Sequence, residues 1–374
     1  MTLRFRRFLT ACVVPAAVFQ SVNIGGGYGT GRELVEYFTQ YGPLGGLMGL
    51  ALAFVLLSVA VSVTYEYARR FQAFDYRTFF RSLIGRFWPA FEALYILMFV
   101  LAVSVALAGA SAVVQSAFGL PGYAGAAAMT VAVCALIFFG ARILALAMTW
   151  WSLALYAALA LFMVVMLTKF SAPIAETLKQ GTANPGWARS ALQYALYSSV
   201  AVPAVLFAVK PLETATESVA AGILSALLFM TPAAAFHLAF LAGYPAITAE
   251  ALPVYAMLEA AALPALTLIY TIVLFGTLIE TGAGVIQGLI ARVDAALVEK
   301  RGAPASRRLH FLVAALGFAV AIALSQFGVI ALIAKGYGLL AWGFLGVYIA
   351  PLLTVGVWRL MATNKQEPAA DARP

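Results

Sequence analysis

Ten apolar runs partition this chain, near residues 8–40, 44–68, 88–118, 122–140, 143–168, 190–209, 217–243, 262–291, 309–327 and 330–358. A bilayer core about 30 Å thick takes roughly 20 helical residues at about 1.5 Å each, so runs of this length match single crossings. Inside lipid every backbone N–H and C=O must be satisfied within the protein, and a continuous rather than alternating apolar run does this only as a helix. The expected fold is therefore an all-α integral membrane protein of about ten transmembrane helices, with the lipid bilayer as its principal partner. Composition agrees: 64% of the 374 residues are hydrophobic and 10% charged, against roughly 25% charged in an average soluble domain. The mean hydropathy is +0.96. Little chain is left for a soluble domain.

The net charge of +8 has a local explanation. With ten spans and the N-terminus inside, eighteen of the twenty-three Lys and Arg residues fall on the cytoplasmic side, from Arg4, Arg6 and Arg7 through Arg69–Arg86, Arg142 and Lys210 to Arg292, Lys300, Arg301, Arg307, Arg308, Arg359, Lys365 and Arg373. Only Lys169, Lys179 and Arg189 fall outside. This asymmetry is the positive-inside rule, and it places both termini on the cytoplasmic side of the cell (inner) membrane with no role for nucleic acid. The basic start followed by an apolar run resembles a secretory signal, but the run continues past Gly25 to Tyr37 and is read as the first retained span. Residues 69–86 interleave arginine with Phe71, Phe74, Tyr76, Phe79 and Phe80, the pattern of an interfacial helix.

A polar stretch with Pro173, Asn184, Pro185 and Trp187 follows the fifth span. It divides the chain into a first five-helix repeat (1–169), an extracytoplasmic loop (170–188), a second five-helix repeat (189–360) and a disordered cytoplasmic tail (361–374). An odd number of spans per half inverts the second half, the arrangement of several secondary-transporter folds.

The most informative local sequence lies in the middle of the first run: Asn23-Ile-Gly-Gly-Gly-Tyr-Gly-Thr-Gly-Arg-Glu33. Each Gly costs about 1 kcal/mol relative to Ala in a helix interior, so Gly25, Gly26, Gly27, Gly29 and Gly31 predict an interruption at membrane depth. Broken backbone there must line a cavity or be buried in protein. A helix restarting near Thr30 would aim free N–H groups at that cavity, which suits a carboxylate, and the released carbonyls suit a cation. The alternative is that the glycines allow close helix packing. A phosphate-binding glycine loop fits poorly, because the spacing matches neither dinucleotide nor P-loop patterns.

In the sixth span, Tyr197-Ser198-Ser199-Val200 precedes Pro203, where a missing donor predicts a second break or kink. Two interrupted spans in matching halves mark a transporter's solute site. In the eighth, Thr277, Glu280 and Thr281 share i, i+3 and i+4 positions and offer oxygens for a cation or a proton relay. An acid inside a span costs roughly 2.5–3.5 kcal/mol on insertion scales, so Glu280 should face protein or water, with a structural hydrogen bond as the other reading. Arg32, Glu33 and Glu36 with Lys335 are candidates for an outer gate of charge pairs, or are solvated. Cys12 and Cys134 sit in apolar runs as packing residues, and His237 and His310 stand apart. No metal site beyond a possible Na⁺ is expected, and no cofactor. No Ser–His–acid or paired acidic arrangement points to an enzyme. No feature specifies an oligomeric state.

With these features in view, the chain resembles the amino acid-polyamine-organocation superfamily with the leucine-transporter fold, over nearly its whole length. Gly25-Gly-Gly-Tyr-Gly-Thr-Gly-Arg-Glu33, with Tyr37-Phe38 after it, is similar to the GxGxxxGxE pattern and aromatic pair of YkvI-type bacterial membrane proteins, near the branched-chain amino acid:cation symporters. Ala334-Lys-Gly-Tyr-Gly338 in the tenth span is similar as well. The resemblance implies alternating-access symport of a small solute, an amino acid or relative. It implies substrate around Gly25–Gly31 and Tyr197–Val200, and a cation near Val22, Asn23 and Gly25 with Thr277 and Thr281. Glu280 departs from the neutral hydroxyl pair of sodium-coupled relatives, so Na⁺ and H⁺ both stand as coupling ions. The superfamily resemblance also extends to spore germinant receptor subunits, which leaves a non-transporting solute sensor as the other reading.

Overall fold

The structure, a computed structural model, describes residues 7–139 and 141–366, without the side chains of 138, 139, 141–149, 300 and 363–366. Arg4, Arg6, Arg373 and the side chains of Arg142, Lys300 and Lys365 lie outside the described set, as does the tail from residue 367.

All regular structure among the described residues is helical. The first span runs from a π turn at Leu9–Val13 into a helix at Val14–Asn23, breaks, makes one turn at Gly26–Gly29 and restarts at Arg32–Tyr37. The second to fifth spans are Gly42–Arg70, Trp88–Phe118, Gly122–Phe139 and Ala141–Lys169. The sixth begins as a helix at Trp187–Ser198 and loosens into 3-10 turns at Ser199–Ala204 and Leu206–Val209. The seventh to ninth are Ala215–Phe240, Pro264–Arg301 and Arg307–Ser325. The tenth starts at Gly328, alternates α and π turns and ends in the helix Val357–Gln366. Among the described residues seven helices are long and apolar enough to cross a membrane by length and composition. The broken first and sixth spans and the short fourth make up the ten segments.

Three stretches differ from expectation. The polar connection at 170–188 contains a nine-residue helix, Ser171–Lys179, because Ile174 and Thr177, three apart, bury on one face. The eighth helix outruns its apolar stretch by ten residues, as Arg292 and Asp294 find partners within the protein. The last helix carries past 361 to Gln366, so the polar tail begins later than composition suggests. Within the basic aromatic stretch a helix forms at Tyr76–Ile84, capped by Asp75, whose carboxylate accepts from Thr78 N–H at 2.9 Å. It buries Phe79, Phe80 and Leu83 while Arg77 and Arg81 reach Glu299 at 2.8 and 2.7 Å.

Lipid supplies no hydrophobic force between helices, so close backbone approach and hydrogen bonds decide which helices pair. The second and seventh spans show both. A Cβ on Gly222 would lie 2.5 Å from the backbone N and Cα of Ser62. Ser62 Oγ donates to Val219 O at 3.2 Å, and Tyr65 and Ser225 share a 3.1 Å bond. Further along, His237 is fully buried where Gly46 leaves room for its ring. Its Nε2 lies 3.1 Å from the Pro43 carbonyl, which only accepts, so Nε2 carries the hydrogen and Nδ1 accepts from the Thr39 hydroxyl at 3.1 Å. His310 likewise has a partner, Asp294 at 2.7 Å. Cys12 is buried as expected, whereas Cys134 is exposed on the fourth helix.

Candidate functional site

The first-span break has two joints. At Ile24 and Gly25 the chain turns extended (Ile24 ψ 88°, Gly25 ψ −160°), and at Gly31 it passes through the left-handed region at φ 80°, which glycine enters without steric cost. Neighbours take up the freed groups. Thr281 Oγ1 accepts from Gly26 N–H at 3.0 Å, Thr30 Oγ1 donates to Gly27 O at 2.7 Å, and Tyr270 Oη donates to Gly29 O. Both expected uses of the glycines occur: the backbone is interrupted, and a Cβ at Gly26 would meet Leu278 at 2.7 Å. In the sixth span, Ser199 Oγ back-bonds to Ala195 O at 2.7 Å, just where the α-helix gives way to 3-10 turns.

The two interruptions meet at a cavity of about 210 Å³. The first span contributes Val22, Asn23, Gly25, Gly26, Gly27, Tyr28 and Glu33, and the sixth contributes Tyr197, Val200 and Ala201. Tyr95, Met98, Phe99 and Ala102 come from the third span, Thr281 and Val285 from the eighth and Tyr337 from the tenth. One end is closed, with Tyr28, Glu33, Tyr197 and Tyr337 buried, and the ring of Tyr197 stacks on Tyr337 (5.1 Å) and meets Tyr37 at a tilt (5.3 Å). At the other end Val22 is exposed and Met98, Phe99 and Val285 are half-buried. The cavity thus opens toward the end of the third span that carries Glu92, which ion-pairs with Arg292 of the eighth span at 2.7 Å. The guanidinium of Arg292 lies over Tyr95 at 4.1 Å and Phe99 at 5.4 Å, two rings that also line the cavity.

Several expected site residues stand elsewhere. Gly29, Thr30, Gly31, Ser198 and Ser199 do not line the cavity. One turn carries them to the far side of their helices, and Ser198 Oγ is buried without a partner among the described residues. Thr277 and Thr281 both back-bond along their own helix, at 2.8 and 2.9 Å, but only Thr281 reaches the break. Glu280 does not join them. About 100° around the helix from Thr281, it turns toward the fifth span, where Oε1 accepts from Ser152 Oγ at 3.0 Å and Oε2 is buried without a partner among the described residues.

Of the residues expected at an outer gate, Arg32 and Glu36 pair with each other, and Glu33 and Lys335 stand apart from them. Arg32 is buried at 2% exposure, ion-pairs with Glu36 and donates from Nη1 to the carbonyls of Thr248 and Glu250 at 2.7 and 3.1 Å, tying the first span to the connection after the seventh. Glu33 belongs to the cavity instead: Tyr197 Oη donates to its Oε2 at 2.7 Å. Its other oxygen lies against Gly27, where an added Cβ would come within 2.3 Å. Lys335 is exposed and forms no ion pair among the described residues, whereas on the same turn the Ile333 carbonyl accepts from Tyr37 Oη at 3.3 Å and Tyr337 stacks on Tyr197. The third-span contribution was missed altogether. Tyr95, Phe99 and Ala102 follow helical spacing, but that span is apolar on all sides, so no stripe distinguishes them.

No protein-family profile matches the chain, and no curated protein matches it by sequence. Solved structures do match it by shape. A Na⁺-coupled sialic acid symporter, in a substrate-bound outward-open state, superposes with a TM-score of 0.56 at 12% identity over 95% of this chain and 87% of the symporter. A manganese transporter of Eremococcus coleocola superposes with a TM-score of 0.50 at 11% identity over 96% of this chain and 97% of the transporter. Both are ion-coupled or metal transporters rather than enzymes, and at these identities the likeness speaks for the fold. The chain has the all-helical fold of integral membrane transporters.

Proposed function

We propose that this protein is an ion-coupled secondary transporter that moves a small solute, an amino acid or a related compound, across a bacterial inner membrane by alternating access. One observation carries the reading: the interrupted first and sixth spans meet at a cavity big enough for a small solute and lined from five spans. Discontinuous helices around a central cavity are how transporters expose backbone groups to solute without exposing them to lipid. Similarity in shape to a Na⁺-coupled symporter supports it. In this proposal the two halves form an inverted repeat with both termini cytoplasmic, so the open end of the cavity faces inward and the Arg32–Glu36 closure faces outward.

The solute sits against Gly25–Tyr28, Tyr197 and Val200. The coupling ion acts at the eighth span, either as Na⁺ at Thr281 near the first-span carbonyls or as a proton on Glu280. Counterflow in proteoliposomes tests the proposal: unlabelled solute loaded inside should drive uptake of labelled solute, with dependence on Na⁺ or on a pH gradient. Saturable binding with no counterflow would instead favour a solute sensor of the same fold.

A further inference from the structure

At the start of the ninth span, Arg307, Arg308, Phe311 and Leu312 line an open recess of about 420 Å³. Neither arginine forms a hydrogen bond or an ion pair among the described residues. The acids that precede them in the chain are already engaged. Glu299 holds Arg77 and Arg81 at 2.8 and 2.7 Å, and Asp294 accepts from the Ala305 N–H at 2.7 Å and pairs with His310 at 2.7 Å. Arg7, Arg69 and Arg292, by contrast, each have a carboxylate partner, in Glu217, Glu66 and Glu92.

The apolar part of the recess continues into the span. Phe311, Leu312, Leu316 and Val320 are exposed, and the last three recur every fourth residue along one helix face. From Arg308 to Val320 the helix rises about 18 Å at roughly 1.5 Å per residue, a little more than one leaflet of a bilayer core about 30 Å thick. In a membrane-spanning helix such a stripe faces acyl chains. Guanidinium groups bind phosphate oxygens through paired N–H donors, so two uncompensated arginines at the mouth of the stripe match a ligand with an anionic head and a long apolar tail. A water-soluble anion would leave Phe311 and the leucines uncovered. A zwitterionic lipid carries its own ammonium beside the phosphate and gains less from the two cations.

We propose that an anionic phospholipid docks here, with its phosphate on Arg307 and Arg308 and an acyl chain along Phe311, Leu312 and Leu316. The central cavity has no ninth-span residue in its described lining, so this site is separate from it and independent of what the cavity carries. A basic residue beside an anionic headgroup contributes about five-fold in affinity, and two contribute about twenty-five-fold.

The test is a thermal-shift titration of the full-length protein in neutral detergent, since a ligand that binds only the folded state raises its stability. The probes are phosphatidylglycerol, phosphatidylcholine with the same acyl chains, and glycerol 3-phosphate. Phosphatidylglycerol should stabilise wild type saturably, with an affinity at least ten-fold above that of phosphatidylcholine, and glycerol 3-phosphate should not stabilise it. In the double variant Arg307→Gln, Arg308→Gln the affinity for phosphatidylglycerol should fall at least ten-fold. Arg86 and Lys210 are exposed elsewhere, so Arg86→Gln with Lys210→Gln removes the same charge and should change that affinity less than two-fold. Should the first double variant fail to fold, Arg307→Gln and Arg308→Gln made singly should each weaken binding at least three-fold. Equal affinity for the two lipids, stabilisation by glycerol 3-phosphate, unchanged affinity without Arg307 and Arg308, or an equal fall in both double variants would each overturn the proposal.

Discussion

Tyr197 on the sixth span and Glu33 on the first are joined by a 2.7 Å hydrogen bond across the closed end of the central cavity. The bond links the two interrupted spans directly, and both partners are buried. Hydrogen bonds to charged groups contribute roughly 1.5–3 kcal/mol. Tyr197→Phe is expected to destabilise the protein by about that amount in denaturant melts, and to cost less than half as much in a Glu33→Gln background. Additive losses in the double variant would mean that the two residues act independently.

Gly27 and Gly222 separate a local from a global effect of adding one methyl group. At Gly27 the new Cβ meets the carboxylate tip of the Glu33 side chain at 2.3 Å, whereas at Gly222 it meets the backbone of Ser62 at 2.5 Å. A side-chain tip can move and a packed helix backbone cannot. Gly27→Ala should therefore yield a folded protein with solute uptake reduced at least ten-fold, and Gly222→Ala a loss of stability of about 1–3 kcal/mol, the usual range for overpacking. Size-exclusion profiles and melting curves compare them, and equal stability of the two would contradict the argument.

Arg32 holds the connection between the seventh and eighth spans through the carbonyls of Thr248 and Glu250. Arg32→Gln keeps some hydrogen bonding but leaves Glu36 without its cation. Amide hydrogen exchange across residues 246–260 should then quicken about ten-fold or more, with little change in the second and seventh spans. Exchange that stays slow would show that the connection is held by other contacts.

Glu280, hydrogen-bonded to Ser152 at 3.0 Å, lies outside the cavity, so its removal should leave solute affinity within about two-fold while changing coupling. In Glu280→Gln proteoliposomes the dependence of uptake on a pH gradient should flatten. A profile identical to wild type, with intact Na⁺ dependence, would shift coupling to Thr281 and the first-span break.

Much of this architecture is written in local sequence. Ten apolar runs dictate helices because lipid leaves the backbone no other partner. The glycine cluster from Gly25 to Gly31 weakens one helix wherever its neighbours lie, and Pro203 does so in the sixth span; both interruptions formed where those residues stand. What the sequence could not state is direction. Whether Glu33 points at a gate or into a cavity, whether Glu280 faces Thr281 or the fifth span, and which ring of an all-apolar third span meets the solute depend on how each helix is rotated against its neighbours. That rotation is decided by close approaches such as Gly222 on Ser62 and by bonds between residues more than a hundred positions apart, as in Tyr197–Glu33. No window of sequence contains both partners of such a contact, so only the tertiary structure resolved them.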